Sequence, residues 1–243
     1  KSLISKLNLD LFTEVINWEE MRLFQLSFFK SGVPHIDIPQ DHAFISTLYN
    51  YANNNGIKWI LNGGNVSTEC IRNPLKYFYY GTDMKHIKYI RKKFGAKNMP
   101  TYPFSSILRH KVWLRYIKKV KVIKILDYIY YDKKKALNEL VHNYDWKPYP
   151  RKHFESRFTR YYEGYWLPKR FGFDTRRVQL SSLIATNQIS REEALEKLSK
   201  PEFTDIEAES ESRYIANKLR ISYEELMHYM FMPKKYYDDY PNS

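Results

Sequence analysis

At 243 residues with 43% hydrophobic side chains, the chain can bury a real core as one large domain or two small ones, and its composition excludes intrinsic disorder. No apolar run approaches the roughly 18 residues of a membrane span, no signal-peptide pattern opens the chain, and the single cysteine, Cys70, excludes an intrachain disulfide and a cysteine-rich metal site. The formal net charge of +13 is uneven: residues 190–243 carry 12 acidic and 8 basic groups, against 15 and 32 in the preceding 189, so a positive body with a mildly acidic tail points to an anionic partner.

In chain order, Lys1 to Leu9 reads as the last turns of an amphipathic helix, with Leu3, Ile4 and Leu7 on one face and no N-cap ahead of them. Leu11 to Ile16 reads as a strand, and helices follow at about 18–30 and 40–55, the second between Pro39 and the Asn53-Asn-Asn-Gly56 stop. Trp59 to Leu61 is a short apolar run ending in Asn62-Gly63-Gly64-Asn65. That is the pattern of a buried parallel strand whose carboxyl end opens into a ligand loop, because ligands of open α/β sheets sit just outside such strand ends. Gly63 and Gly64 allow close backbone approach and positive φ, while Asn65, Thr68 and Glu69 bring an amide, a hydroxyl and a carboxylate to one small volume. A Gly-rich turn with no ligand has the same local pattern. Cys70, beside this loop, reads more simply as a small buried hydrophobe than as a nucleophile.

Beyond Glu69 the pattern is mostly helical. Thr82 can cap a helix to Phe94 with Gly95 as its stop, and Asp132 a helix over 133–143. Ser190 to Glu193 and Ser222 to Glu225 both fit the capping box. Residues 104–126 carry Lys or Arg at 109, 111, 115, 118, 119, 121 and 124; a solvated basic face over a packed apolar one fits better than a membrane-surface or nucleic-acid helix. A second block runs from Lys152 to Arg160 and on through Lys169 and Arg170 to Arg177. On a helix, His153 and Arg157 share a face, as do Ser156 and Arg160. Lys152, Arg157, Arg160, Lys169 and Arg170 can surround a polyphosphate, and His153 with Glu155 can act as an acid–base pair; a basic surface helix with a structural histidine fits the spacing equally. The seven histidines (35, 42, 86, 110, 142, 153, 228) form no ligand pair, so no metal-binding residue is singled out. Asp41-His42 reads as a helix-start carboxylate beside a polar neighbour.

Several segments together resemble the N-acetyl sugar amidotransferase family, ATP-pyrophosphatase (PP-loop) enzymes of bacterial lipopolysaccharide and flagellar sugar biosynthesis. They are Val15 to Glu20, Ile38 to Ala43, Gly56 to Asn65 with Thr68-Glu69, Lys152 to Ser156, Phe158 to Arg160, Leu167 to Lys169 with Phe171-Gly172, and Gln188 to Ala194, in family order. The resemblance implies an α/β fold, a Rossmann-like parallel sheet of the adenine nucleotide α-hydrolase type over residues 1–100, incomplete at its N-terminus, and a mainly helical substrate and partner region over 101–243. It implies ATP with Mg2+, activation of an amide carbonyl as an adenylated imidate, and ammonia from a class I glutaminase subunit converting an acetamido group of a nucleotide-linked sugar to an acetamidino group.

On that resemblance Gly63, Gly64, Asn65, Thr68, Glu69 and Lys169 are candidates for nucleotide binding, and Lys152, His153, Glu155 and Arg160 for the catalytic centre. Ser-Gly-Gly-x-Asp-Ser, the family's phosphate loop, is absent, as is the cysteine-rich segment of relatives, and Pro150-Arg151 stands where glycines are expected. The chain is therefore expected to be a truncated form or the carboxyl-terminal part of the enzyme, inactive in ATP cleavage alone, and cytoplasmic. Nucleic acid is not the expected partner. The alternatives are a tRNA-modifying enzyme of the same superfamily (a thiolase or lysidine-forming ligase) and a non-catalytic binding subunit of a glutaminase complex.

Overall fold

The computed structural model describes residues 2–149 and 155–243. The protein is mixed α/β, mostly helical, with a small two-stranded parallel sheet among the described residues. Its first helix, α1 (Ser2–Lys6), is short, and the extended chain that follows pairs with no other strand. The strand expected at Leu11 to Ile16 is therefore absent. Leu9, Leu11 and Val15 stay exposed there, and Phe12 stacks on Tyr51 with ring centroids 4.2 Å apart.

Helix α2 (Trp18–Ser31) is the centre of the molecule. Asn17 caps it by accepting from the backbone amides of Glu19 and Glu20, and Phe24, Phe28 and Phe29 are fully buried along it. Helix α3 (Ile38–Asn54) packs beside it and leads into strand β1 (Trp59–Asn62). A four-residue helix α4 (Val66–Glu69) follows, and then α5 (Met84–Lys93). The cap of α5 is Asp83, one residue beyond the expected Thr82, because the Asp83 carboxylate accepts from the amides of Lys85 and His86.

The basic segment divides into two elements. Residues Arg109–Ile117 form a π-helix and Lys121–Lys124 form strand β2, parallel to β1 with Ile60 opposite Val122. The expectation of a packed apolar face is met only in part. Leu114 is buried and Trp113 partly so, whereas Leu108, Val112, Tyr116 and Ile117 face solvent. The strand expected to be buried is also half-bare. Ile60 packs with Ala52, Leu114 and Val120, while Trp59 and Leu61 on the other face are exposed.

Helix α6 (Lys133–Tyr144) starts at its Asp132 cap as expected. Helix α7 (Arg157–Tyr161), a π turn (Tyr162–Trp166) and α8 (Leu167–Phe171) run on as one continuous helical rod. The remaining helices are α9 (Arg176–Ala185), α10 (Arg191–Ser199), α11 (Asp205–Leu219) and α12 (Tyr223–Phe231). Ser190 makes the full capping box. Ser222 accepts from the Glu225 amide, but the Glu225 carboxylate turns to the Tyr229 hydroxyl instead of back to the cap. The main core joins α2 and α5 to the rod and to α11 and α12, so it draws side chains from both sides of residue 100.

Candidate functional site

The glycine turn lies where parallel-sheet geometry places ligand sites, at the shared carboxyl edge of β1 and β2. The Gly64 amide donates to Asn62 Oδ1 at 2.6 Å, and Asn65 caps α4, its Oδ1 accepting from the Thr68 amide (2.9 Å) and hydroxyl (3.2 Å). Asn65 Nδ2 donates to the Gly63 carbonyl, so this buried amide is spent on holding the turn. Neither glycine has positive φ; what matters is closeness. A Cβ at Gly64 would lie 2.9 Å from Asn62 Oδ1, 3.1 Å from Glu69 Oε2 and 3.6 Å from Lys124 Cε. Gly63, with nothing within 4 Å of such a carbon, leaves backbone open to approach.

The edge of β2 adds two groups that sequence reasoning missed. Lys124 runs over Gly64, and Asp127 Oδ1 accepts from the Val66 amide at 2.7 Å. The turn is fixed from behind by α9. Ser182 Oγ accepts from the Ile71 amide (3.1 Å), and the Thr186 hydroxyl donates to the Ser67 carbonyl (2.8 Å). Gln188 accepts from the Lys133 amide at the start of α6, and its Nε2 donates to the Thr186 hydroxyl oxygen (3.3 Å). Cys70 is half-buried with Sγ 3.7 Å from the Ser182 carbonyl, a packing role.

A second focus lies at the start of α3. Thr159 donates to Asp37 Oδ2 (3.1 Å) and accepts from Gln40 Nε2 (3.1 Å), with Ser156 Oγ at 3.0 Å. Asp37 is buried, and its Oδ1 and the buried Tyr162 hydroxyl have no hydrogen-bond partner among the described residues. Burial, then the charges of Asp41 and Glu163, hold the Asp37 carboxyl well above the usual carboxylate range against the pull of Thr159. Crowding by protein pushes Asp41 up to about 6, although half of its side chain still meets solvent, which tempers that shift. Gln40, Trp18 and Met21 form the wall common to two cavities of about 390 and 620 Å3, sizes suited to a small molecule. Phe158 and Tyr214 line the first, Phe44 and Tyr51 the second.

The two foci lie toward opposite ends of α9. Thr175 at its start reaches Glu163 (3.5 Å) and Thr186 at its end reaches Ser67 (2.8 Å). At the helical rise that span is about 16 Å.

Of the other expected site residues, Lys152 and His153 lie outside the described residues. Glu155 is exposed just before α7, which starts only at Arg157 with Ser156 as its cap, so the helix read across Lys152 to Arg160 begins later. Arg160 lies 4.6 Å over the Phe203 ring, near Glu207, whose carboxyl is held down first by Thr204 and then by the Arg160 charge. Lys169 is exposed. Arg157 is paired with Glu211 (2.7 Å) and stacked on Tyr214.

Arg170 corrects the expected polyphosphate cluster. It is buried and donates to the carbonyls of Met230 (2.6 Å), Met232 (2.9 Å), Pro233 (3.2 Å) and Gly32 (3.4 Å). His42 is likewise structural, its Nδ1–H donating to the Gly81 carbonyl and its Nε2 accepting from the Ser105 amide. Among the described residues, no group of three His, Cys, Asp or Glu is placed to hold a metal ion.

Residues 155–243, from the end of the second basic block through α12, match the family model described as LPS biosynthesis protein WbpG-like, C-terminal domain. The carboxyl-terminal part of this chain is thus similar to a lipopolysaccharide biosynthesis domain. The match takes in Thr159, Arg170, Ser182 and Thr186, and so one wall of each focus. It supports a place in lipopolysaccharide sugar biosynthesis. No curated protein and no solved structure matches the chain. No helix among the described residues is long and apolar enough to cross a membrane.

Proposed function

We propose that the chain is the substrate-binding part of an ATP-dependent amidotransferase that converts the N-acetyl group of a nucleotide-linked sugar to an acetamidino group, in surface-polysaccharide biosynthesis. The observation that carries this reading is the Gly63–Glu69 turn at the carboxyl edge of two parallel strands, with Lys124 at the end of the neighbouring strand and Asp127 in the turn after it both reaching it. Open backbone at Gly63 and the Lys124 ammonium suit the phosphates of a nucleotide, and the family match favours a sugar of lipopolysaccharide synthesis as its cargo. On this reading β1 and β2 are the share of an adenine nucleotide α-hydrolase sheet that this chain contributes.

The residues divide the work by what each can do. Asn65 holds the turn and leaves Thr68 and Glu69 beside the ligand. Trp18 and Gln40 line the cavities that accept the sugar, an indole face for its ring and an amide for its polar groups. Asp37, its carboxyl raised by burial, accepts from the Thr159 hydroxyl and through it holds Gln40. ATP, when bound with Mg2+, supplies the adenylyl group that turns the amide oxygen into a leaving group. A class I glutaminase subunit is the ammonia source, and Lys152, His153, Glu155 and Arg160 remain the candidates for handling charge and protons there.

Calorimetric titration of residues 1–243 with a UDP-N-acetyl sugar tests the reading. Saturable binding that Gly64→Val and Gln40→Ala each weaken at least tenfold is expected. Absence of binding, or tight and steeply salt-dependent capture of tRNA in its place, would overturn it.

A further inference from the structure

The net charge of this protein has an address. Residues 84–126 contain 13 Lys and Arg and no Asp or Glu, so this 43-residue stretch accounts for the whole +13 while the rest of the chain is balanced. One of its elements is the π-helix over Arg109–Ile117. Leu114 and Trp113 anchor that helix inward against Ala52, Ile60 and Val120, which fixes the direction of its opposite side. There Leu108, Val112 and Tyr116 recur every four residues as one ridge, 70%, 48% and 66% exposed, with Ile117 exposed beside them.

Arg109, Lys111, Arg115, Lys118 and Lys119 flank the ridge, and among the described residues none of them is ion-paired to a carboxylate. Arg109 and Lys118 instead hold their charged groups over the Trp113 ring, and Arg115 over Tyr116.

We propose that this face of the π-helix docks the protein onto an anionic lipid bilayer. A ridge of large apolar side chains bordered by unpaired cations is what an interfacial helix presents, the ridge entering the acyl boundary and the cations meeting acidic headgroups. Other occupants fit less well. A second copy would bring five cations against five. Single-stranded nucleic acid uses flat rings as stacking platforms, and three of the four exposed ridge residues are aliphatic. None of Leu108, Val112, Tyr116 and Ile117 lines either cavity beside Gln40.

Vesicle co-sedimentation of residues 1–243 tests this. Vesicles of phosphatidylglycerol and phosphatidylcholine are compared with phosphatidylcholine alone, for the wild type, Leu108→Ser/Tyr116→Ser and Lys111→Glu/Arg115→Glu. Retention on the anionic vesicles only, falling with added salt and at least about tenfold with either pair, is the expected result. Both pairs alter exposed side chains, and unchanged circular dichroism is required of them; should either fail to fold, Val112→Ser and the wild-type salt titration decide.

Absence of anionic-vesicle binding, equal binding to neutral vesicles, or binding indifferent to the ridge pair overturns the proposal. So does retention of single-stranded RNA, or self-association in sedimentation velocity, that is lost in these variants while vesicle binding is absent.

Discussion

Replacing Arg170 by Met should unfold the protein far more easily without touching ligand binding. Arg170 is 4% exposed, and burial pulls its guanidinium down to about 10, still well above neutrality, so a charge is held in the interior by four carbonyls. The two bonds to Met230 (2.6 Å) and Met232 (2.9 Å) are of the charge-assisted kind, and those to Pro233 (3.2 Å) and Gly32 (3.4 Å) are weaker. At roughly 1.5–3 kcal/mol for each strong bond and below 1 for each weak one, less the relief of an unburied charge, the loss is about 3–5 kcal/mol. That is a large fraction of the stability of an ordinary domain. Urea unfolding followed by circular dichroism should show the midpoint falling by about 1–2 M. Lys169→Met, one residue away and exposed, should move it little. A change below about 1 kcal/mol at Arg170 would refute the structural assignment. Loss of nucleotide-sugar affinity at full stability would return Arg170 to the polyphosphate role its sequence context suggested.

Other outcomes follow from the buried polar groups and the turn. Asp37→Asn should gain stability over the wild type as pH rises. A raised carboxyl stabilises the fold below its unfolded value and loses that advantage as pH climbs through the folded value, whereas an amide does not titrate. An offset between the two proteins that is identical at pH 5 and pH 8 would contradict this. Burial pushes His35 and His86 down to about 4, so their imidazole resonances should stay those of neutral rings from pH 7.5 to 5.5. Each ring withdraws about 3 kcal/mol as pH falls from 6.5 through 4; titration of either near 6.5 would remove it from the core. Gly64→Val forces Asn62 or Glu69 to shift, and should weaken nucleotide-sugar binding at least tenfold while unfolding changes by less than about 1 kcal/mol.

What could be read from the sequence was what local chemistry decides. Asp132 and Ser190 cap their helices, and α2, α3 and β1 stand within a few residues of expectation, because caps, apolar spacing and glycine stops act over one or two turns. Strand β2 was hidden because Lys121-Val-Ile-Lys124 sits in a run with helical spacing; only its pairing with β1, sixty residues earlier, makes it a strand. Leu11 to Ile16 shows the converse, strand-like residues with nothing to pair against. Lys169 and Arg170 are adjacent and chemically alike, and only tertiary packing decides that one is in solvent and the other under four carbonyls.

The candidate site divides in the same way. Its glycine turn was legible as a strand end with small polar residues after it. The focus at Asp37 was not, because its hydroxyl partner Thr159 lies 122 residues away. Lys124 and Asp127 were missed with the strand that carries and precedes them.

The proposed reaction replaces an acetamido oxygen of a sugar with nitrogen. Cells expressing the protein in its native context, grown on glutamine labelled with 15N in the amide, give the most direct measurement by mass spectrometry of their surface-polysaccharide sugars. The expected result is label in an acetamidino group of one sugar, and its loss when Gly64 is changed to Val. An unlabelled, fully acetamido sugar in those cells, with the label recovered in modified tRNA instead, would contradict it.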